Sequence, residues 1–447
     1  MAKNPSLKRS LGLWSIVGLG LGYMTPTVVF DTFGIVSQQT DGVVPLAYIV
    51  ALCVMLFTAI SYGKMTQIFP SAGSAYTYTR ETMSPGMGFI VGWASLLDYL
   101  LLPMVNALII RIYFASLFPD VPAWIWVVIY VAIVTGINVW SMGKTSNFNM
   151  ILVVYEILLI GVFVLLAWMK LSQGMGQGTI FTAQPLFHDD VQLSAVFTGA
   201  TVVAFSFIGF DAITMYTEEA VDQKTVPKAI FLTVLIGGAI FFVGGYFAQA
   251  LFPDVSHFQV TDDTLPEIAL YTGGEVFKLI FLSGAFAATA ASGLASHASV
   301  SRLLYVMGRN GVLPNKLFGY VHPRFRTPAF NVILVGAVSL LAIGPDLELI
   351  SAVINFGALI AFTFVNLSVI AYFIVKKKRY KTAQDIFKYL IMPLIGAGLT
   401  GILWFFLHKD AFIGGVVWVA IGFIYMLIIT GFFRRRIPDM GSDDEAG

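Results

Sequence analysis

Long, continuous apolar runs recur along the whole sequence, and they limit what the chain can fold into. A helix needs about 20 apolar residues to cross a lipid bilayer. Runs of about this length predict twelve transmembrane helices, at residues 11–37, 43–68, 86–117, 122–141, 147–170, 194–217, 229–251, 276–307, 329–344, 348–375, 388–408 and 411–433. Because the runs do not alternate with a period of two, they favour helices over a β-barrel. The predicted class is an all-α integral membrane protein.

The composition supports this class and excludes several others. Only 11% of the 447 residues are charged, against roughly 25% in soluble globular proteins. The net charge of +1 gives no basic surface for nucleic acid, so we expect no nucleic-acid partner. The single cysteine excludes a disulfide framework. Because no metal-binding, Walker-type or nucleophile-elbow motif is present, we expect no enzyme activity, no metal and no cofactor.

The lysine and arginine residues are distributed unevenly between the predicted loops. If the N-terminus is cytoplasmic, all 26 lie on the cytoplasmic side except Arg111, Lys170, Lys278 and Lys409. This bias follows the positive-inside rule and predicts an even number of spans with both termini in the cytoplasm. The first run is not a signal peptide, because it is too long and contains Asp31.

Two of the predicted spans are interrupted by residues that disfavour a helix. In the first span, a glycine-rich stretch leads into Thr25, Pro26 and Thr27, and proline removes a backbone donor. In the sixth span, the segment S-F-I-G-F at 206–210 precedes Asp211. Each of these two spans begins a group of five spans. Because five is an odd number, the second group has the opposite orientation in the membrane to the first. Paired interruptions in inverted repeats indicate a transporter binding site, whereas an ordinary Gly/Pro kink is the alternative for each span.

Four acidic residues lie inside apolar spans, namely Asp31, Asp98, Glu156 and Asp211. An unpaired charge at the bilayer centre costs about 2.5–3.5 kcal/mol on insertion scales. Arg111 is in the same predicted helix as Asp98 but lies roughly 20 Å further along it. We therefore expect a mobile cation or a proton, rather than a fixed side chain, to neutralise these acids. Aromatic rings near the interruptions could contact an organic cation, and packing in the core or against lipid is the alternative for each ring.

Several strings in the sequence identify a family. The segments F-S-F-I-G-F-D at 205–211, R-L-L-Y-V-M-G-R-N-G-V-L-P at 302–314 and R-T-P at 326–328 resemble the amino acid-polyamine-organocation (APC) transporters, and the resemblance covers nearly the whole chain. The strings F-D-T-F-G-I-V-S at 30–37 and S-L-L-D-Y-L-L-L-P-M at 95–104 are similar to bacterial putrescine importers. The resemblance implies the LeuT-type fold, which is a five-plus-five inverted repeat with broken helices 1 and 6, followed by two C-terminal helices.

The resemblance also implies a domain organisation and a function. Residues 1–170 would form helices 1–5, residues 171–375 helices 6–10, and residues 376–437 the two extra helices, before a polar tail at 438–447 that we expect to be disordered. The implied function is import of putrescine or a similar small diamine across the bacterial cytoplasmic membrane, driven by a proton gradient or, alternatively, a sodium gradient. An amino acid permease, an amine/amino acid exchanger and an amine-binding membrane sensor are the alternatives. The expected partners are a small cationic amine and the lipid bilayer, and the protein would be a monomer or homodimer.

The family pattern further assigns a substrate site. Members that transport amino acids commonly have Gly-Ser-Gly in helix 1, whose amides bind the substrate carboxylate, and Thr25-Pro26-Thr27 weakens such a receptor. Asp98 aligns with a pocket position that is usually occupied by a small residue in amino acid exchangers. An acidic side chain there suits a substrate with amines and no carboxylate. Phe205 matches an aromatic residue that closes over the substrate, and Asp211 replaces the usual glutamate. The expected substrate-binding residues are Tyr23, Met24, Thr25, Asp31, Asp98, Tyr99, Phe205, Phe207, Ile208, Asp211 and Ser296.

Alternatives remain for three of the polar candidates. Asp98 could be a structural residue hydrogen-bonded to a neighbouring helix, and Ser296 a helix-packing residue. Glu156 departs from the family pattern, because several proton-coupled relatives have a lysine at the aligned position of helix 5. A carboxyl group in apolar surroundings can bind and release a proton near neutral pH, so Glu156 is the candidate for proton coupling. Binding of a substrate amine, pairing with a basic residue and completion of a cation site are its other interpretations.

Overall fold

The computed structural model describes residues 11–70, 74–140, 146–189, 191–217, 220–222, 224–258, 261–262, 264–438 and 440. Over these residues the regular secondary structure is helical, and the one β-type pairing is an isolated bridge between Leu11 and Ala220. The α-helices are α1 (Leu13–Met24), α2 (Val28–Asp31), α3 (Phe33–Gln39), α4 (Val44–Ile68), α5 (Ser74–Thr82), α6 (Pro85–Leu117), α7 (Ala123–Trp140), α8 (Ser146–Ser172), α9 (Leu193–Val203), α10 (Thr225–Leu251), α11 (Thr264–Arg309), α12 (Asn315–Phe318), α13 (Ala329–Ser339), α14 (Leu347–Ile370), α15 (Ala383–Ile386), α16 (Met392–Phe405) and α17 (Lys409–Ile429). The predicted all-α class is confirmed.

Eleven helices of the described chain are long and apolar enough to cross a membrane. They correspond to every predicted span except the ninth, where Ala329–Ile343 is a shorter apolar helix. The count of twelve spans therefore remains a prediction, and so does the inverted repeat. The largest difference is in α11, which starts at Thr264 rather than at 276. It kinks at Gly274, whose φ of 75° is accessible to glycine without the steric cost that a side chain would bring.

Both predicted interruptions are present. The first span stops at the end of α1, where Thr25 takes a left-handed conformation with a φ of 49°. Pro26 has no N–H to continue the helix, and the chain resumes as the short helix α2. The sixth span changes from α9 to a 3-10 turn, Ala204–Phe207, and breaks at Gly209, where φ is 115°. A second 3-10 segment, Asp211–Tyr216, continues the span.

The other helices surround these interruptions. α4 packs along α10, and α6 packs along both α11 and α14. α1 contacts α8 and α10, so the first break lies inside the bundle rather than against lipid. Polar contacts also join the buried faces: the Asn366 amide of α14 accepts from Ser61 Oγ (2.7 Å) and donates to Thr58 Oγ1 (3.1 Å), both on α4. Such contacts fix the positions of helices where lipid cannot solvate polar groups.

Arg111 is engaged at one end of the bundle, away from any acidic partner in a span. Its Nη1 donates to the carbonyl oxygens of Ala342 (2.9 Å) and Ile343 (2.8 Å), and its Nη2 donates to that of Pro345 (3.3 Å). These carbonyls lie at the end of the short apolar helix of the ninth predicted span and just after it. A guanidinium there satisfies acceptors that the helix itself leaves open.

The start of the predicted polar tail is ordered at one position. Met440 is buried, and its N–H donates to the Tyr76 hydroxyl (3.0 Å). The expectation of a disordered tail is therefore wrong at this residue, because an apolar side chain there finds a place beside α5 and α6. Residues 441–447 lie outside the described chain, as do four of the basic residues used to predict the orientation, Lys3, Lys8, Arg9 and Lys144.

The close packing of α17 against α6 generates a test of the fold. A Cβ added to Gly422 would lie 2.2 Å from Trp93 Cδ1, and the indole of Trp93 stacks on that of Trp418. We expect Gly422→Ala to lower the thermal unfolding temperature of the purified protein by several degrees, because overpacking costs about 1–3 kcal/mol. Gly414→Ala in the same helix is the matched control, since a Cβ there meets no atom within 4 Å. Equal unfolding temperatures for the two variants would contradict this packing.

Candidate functional site

The two interruptions touch each other in the centre of the bundle. A Cβ added to Gly209 would lie 2.8 Å from the Cβ of Tyr23 and 3.0 Å from its Cδ1. Any side chain at 209 would therefore clash, and the φ of 115° would strain it as well. Glycine at this position allows the break in the sixth span to lie against the end of α1.

A cavity of about 30 Å³ lies beside the two breaks and is closed by α6 and α11. Part of its wall consists of predicted site residues, namely Tyr23, Met24, Thr25, Asp31, Phe205 and Ile208. The rest of the wall comes from residues outside that prediction: Val28, Leu102, Val105, Asn106, Ile109, Thr289 and Ser292. The volume holds only a few water-sized groups. We call this space the inner cavity.

Asp31 is the acidic residue in the wall of the inner cavity. Its side chain is 3% exposed, and the Tyr113 hydroxyl lies 3.0 Å from its Oδ1 and 3.2 Å from its Oδ2. One hydroxyl donates a single proton, so the carboxylate retains lone pairs for another donor. Asp31 can therefore bind an ammonium group in the cavity while it keeps Tyr113.

Glu156 of α8 contacts the break in the first span. Its Oε2 accepts from the main-chain N–H and from the hydroxyl of Thr27, both at 3.2 Å. The side chain is 1% exposed and interacts electrostatically with Asp31. The carboxylate thus satisfies a main-chain N–H that the interrupted helix leaves without an intrahelical acceptor.

Asp98 of α6 and Asp211 of the sixth span form a buried acidic pair. Each side chain is 6% exposed, and the two carboxyl groups lie close enough to interact electrostatically. The Gly209 N–H donates to Asp211 Oδ1 (3.3 Å), which ties this acid to the break. The phenol groups of Tyr23 and Tyr99 are within electrostatic reach of both acids. Residues from three elements that are distant in sequence therefore meet here.

The main-chain N–H groups at the first break already have acceptors. Thr25 donates to the carbonyl of Leu21 (3.1 Å), Thr27 donates to Glu156, and Val28 donates to the carbonyl of Thr25 (2.9 Å). The remaining residue, Pro26, has no N–H. Helix N-termini bind anions through unpaired N–H groups, and residues 25–28 offer none. The break is therefore a poor receptor for a carboxylate.

The four buried acids have no basic side chain within ion-pair distance in the part of the chain that the structure describes. The ion pair found there joins Arg80 and Glu81, at 3.8 Å. Among the same residues, no cluster of three or more His, Cys, Asp or Glu side chains is arranged to hold a metal ion. The interior around the breaks is therefore rich in carboxyl groups and lacks a fixed counter-charge among the described residues.

Five predicted site residues lie outside the wall of the inner cavity. Three of them, Asp98, Tyr99 and Asp211, belong to the acidic pair and its surroundings, and the other two are Phe207 and Ser296. Phe207 is fully buried, and its ring packs edge-on against Phe241 with centroids 5.3 Å apart. Ser296 donates its hydroxyl to the carbonyl of Gly293 within α11, at 3.2 Å. Both side chains are used in packing or within their own helix here, and their role in substrate binding stays a prediction.

Four tyrosines near the acids were not predicted. Tyr113 binds Asp31, Tyr48 interacts electrostatically with the same acid, and Tyr62 and Tyr78 interact with Asp211. All but Tyr48 are far in sequence from the acid that they face, and aromatic residues make up 14% of the chain. The sequence marks these tyrosines only as hydroxyl groups within apolar segments. Many other positions have the same feature, so it does not identify partners of the acids.

Comparison with known proteins agrees with this architecture. Residues 11–435 match the family model described as amino acid permease. The low-affinity putrescine importer PlaP of Escherichia coli (strain K12) is 49% identical over 97% of this chain and 96% of its own length. The methylthioribose transporter of Bacillus subtilis (strain 168) is 26% identical over 95% of this chain and 94% of its own length.

A solved structure shows the same fold. MhsT in complex with L-phenylalanine is similar with a TM-score of 0.59 and 13% sequence identity, over 91% of this chain and 100% of that chain. At this identity the similarity concerns the fold alone, and it confirms the LeuT-type class predicted from the sequence.

The contact between the two breaks can be tested by adding one methyl group. Gly209→Ala should lower the thermal unfolding temperature more than Gly274→Ala does. Both glycines have a positive φ, which costs a side chain roughly 1–2 kcal/mol, but a Cβ at 274 meets nothing within 4 Å. The additional loss at 209 would measure the clash with Tyr23, and equal losses would show that the two breaks are not in contact.

Proposed function

The chain belongs to the amino acid permease family, and we propose that it is a secondary transporter that imports putrescine or a similar small diamine across the bacterial cytoplasmic membrane. The main support is the acidic interior, where Asp31, Asp98, Glu156 and Asp211 are buried without a basic partner among the described residues. Such an interior favours a cationic substrate. The similarity to an E. coli protein described as a putrescine importer supports the same substrate class.

The arrangement of the acids suits a substrate with two ammonium groups. Asp31 lines the inner cavity, and Tyr23, another wall residue, interacts with the Asp98–Asp211 pair. In the proposed complex one ammonium group binds Asp31 and the other approaches the acidic pair. Phe205, also in the wall, covers the methylene chain. Two positive charges then offset carboxylates that otherwise repel each other in a medium of low dielectric constant.

The inner cavity must enlarge before it can hold such a substrate, because its volume is about 30 Å³. In the proposed cycle, one group of helices rocks against the other and opens the site to one side of the membrane at a time. The interruptions are suited to this movement. They include residues in left-handed, extended and 3-10 conformations, so they can change conformation without unwinding an intact α-helix.

An amino acid permease or exchanger is the second candidate, and the family description favours it. Such a protein must bind the carboxylate of its substrate. The N–H groups of residues 25–28 are occupied or absent, so the first break offers no receptor for that group. The lack of free N–H groups at the first break is the reason to prefer a diamine.

We assign the coupling proton to Glu156. A carboxylate holds the Thr27 N–H and hydroxyl more strongly than a neutral carboxylic acid does. Protonation would therefore loosen the contact between α8 and the first break, and release of the proton would restore it. In this way the proton gradient can bias the movement of the first span that the transport cycle needs.

Reconstituted transport tests the substrate class. In proteoliposomes loaded with unlabelled putrescine, we expect rapid counterflow of radiolabelled putrescine, with competition from cadaverine and none from leucine or lysine. A carboxylate on the competitor would find no receptor at the first break. Inhibition by amino acids would favour the permease or exchanger, and putrescine binding without counterflow would favour a sensor.

Removing the charge of Asp98 should weaken uptake. We expect Asp98→Asn to raise the KM for putrescine about 10- to 150-fold, because a contact with a charged group contributes about 1.5–3 kcal/mol. Asp120→Asn, which removes an exposed carboxylate from the loop after α6, is the control and should leave KM unchanged. A wild-type KM in a folded Asp98→Asn protein would exclude Asp98 from the site.

The pH dependence of uptake tests the role of Glu156. Wild-type uptake should fall as the external pH is raised from 6 to 8 at constant internal pH, because fewer protons are available to drive entry. Glu156→Gln keeps an acceptor for Thr27 but cannot exchange a proton, so its uptake should be nearly independent of external pH. Glu275→Gln, at an exposed position of α11, should keep the wild-type slope. A wild-type slope in Glu156→Gln would exclude it as the coupling residue.

A further inference from the structure

A second cavity lies between the end of α3, the start of α14 and the turn that joins α16 to α17. Its volume is about 50 Å³, and it shares no wall residue with the inner cavity. We call it the outer cavity, because the predicted orientation places these helix ends outside the cell. Its wall consists of Gln39, Thr198, Thr201, Val202, Glu348, Ser351, Ala352, Asn355, Phe406, Leu407 and His408.

Two hydrogen-bond acceptors meet in this wall. The side-chain amide of Gln39 donates its N–H to Glu348 Oε1, which fixes the orientation of both side chains. The amide oxygen of Gln39 is buried and has no hydrogen-bond partner among the described residues. Turning the amide around would set this oxygen against the carboxylate, so the conflict cannot be relieved in that way. A buried acceptor without a donor is costly, and a ligand that supplies N–H groups would remove the cost.

Three other polar side chains of the wall already donate to main-chain carbonyl groups. The hydroxyl groups of Thr198 and Ser351 donate to the carbonyls of Ser194 (3.0 Å) and Glu348 (2.9 Å). The Asn355 amide donates to the carbonyl of Thr201, at 2.9 Å. His408 differs, because its Nδ1 accepts from the N–H of Asp410 (3.3 Å) and its Nε2 is left as a donor. The other side chains offer acceptors and one carboxylate to a ligand rather than a set of free donors. This chemistry selects a cation that carries several N–H groups.

The surroundings of the outer cavity favour a cation as well. The ring of Phe406 is in the wall and stacks on Phe197, with centroids 5.6 Å apart, so it can present an aromatic face to a bound cation. Asp262 lies near Glu348, and its partial burial, together with the carboxylates of Asp346 and Glu348, raises its pKa above the usual range. Arg111 offsets part of this negative charge, but its guanidinium is held by main-chain carbonyls.

We propose that the outer cavity is a second binding site, which takes one terminal ammonium group of a primary amine between Glu348 and the amide oxygen of Gln39. The site has a single carboxylate, so one ammonium group is sufficient for binding. A monoamine should therefore occupy it as well as a diamine does. The inner cavity, in contrast, has Asp31 in its wall and the other buried acids around the two breaks. The inference rests on the proposed function only for the choice of amine used as a probe.

Equilibrium binding to the purified full chain in lipid nanodiscs tests the proposal. We expect radiolabelled putrescine to saturate wild-type protein at two equivalents per chain and Glu348→Gln at one. n-Butylamine should displace one of the two equivalents from wild type and none from Glu348→Gln. Glu275→Gln is the matched control, because it removes a carboxylate from the same predicted side of the membrane outside the cavity, and it should bind two equivalents. Gln at 348 still accepts from Gln39, so an unchanged unfolding temperature would show that the variant is folded.

The outcomes separate this proposal from the proposed function. Two equivalents in Glu348→Gln, or a single wild-type equivalent that only Asp98→Asn removes, would overturn the outer site while leaving the inner site standing. A single equivalent that only Glu348→Gln removes would support the outer site and contradict diamine binding at the inner cavity. Loss of one equivalent in Glu275→Gln as well as in Glu348→Gln would assign the effect to overall charge and overturn the proposal.

Discussion

A broken helix inside a membrane must find partners for its main-chain polar groups within the protein, because lipid supplies none. The contact of Glu156 with Thr27 meets this requirement at the first break. Without it, the N–H of Thr27 would lie unpaired in the centre of the bundle, next to a proline that contributes no donor of its own. The contact therefore stabilises the interruption and joins α8 to it.

Under the proposed function, the same contact also bears on which substrates are favourable. By occupying the N–H groups of the break, Glu156 and the local turn leave no receptor for a carboxylate. Glu156 also places a second carboxyl group near Asp31. A helix break that is stabilised by an acid therefore disfavours an anionic group and favours a cationic one at once. Asp98 and Asp211 extend this preference to the sixth span, whose break touches the first through Gly209 and Tyr23.

Much of the fold could be predicted from the sequence because its determinants are local. Apolar length marks the spans, and Pro26 and Gly209 interrupt helices through their own backbone chemistry, so both breaks were found. The buried acids were found because a charge in an apolar run is conspicuous. Their partners were not, since the pairing of Asp31 with Tyr113 joins residues 82 positions apart. The positions of Phe207 and Ser296 outside the cavity wall also depend on helix rotation, which hydropathy alone does not specify.

The distribution of charge also bears on how an empty transporter could be prevented from cycling. Moving carboxylates through a medium of low dielectric constant is costly unless each is paired or protonated. With a diamine bound, the substrate supplies two positive charges, and a proton on Glu156 removes one negative charge. With neither present, the acids around the two breaks repel each other while the helices move. Under the proposed mechanism, the buried acids would therefore bind the cargo and also oppose movement of the unloaded protein, so that coupling follows from electrostatics rather than from a separate gate.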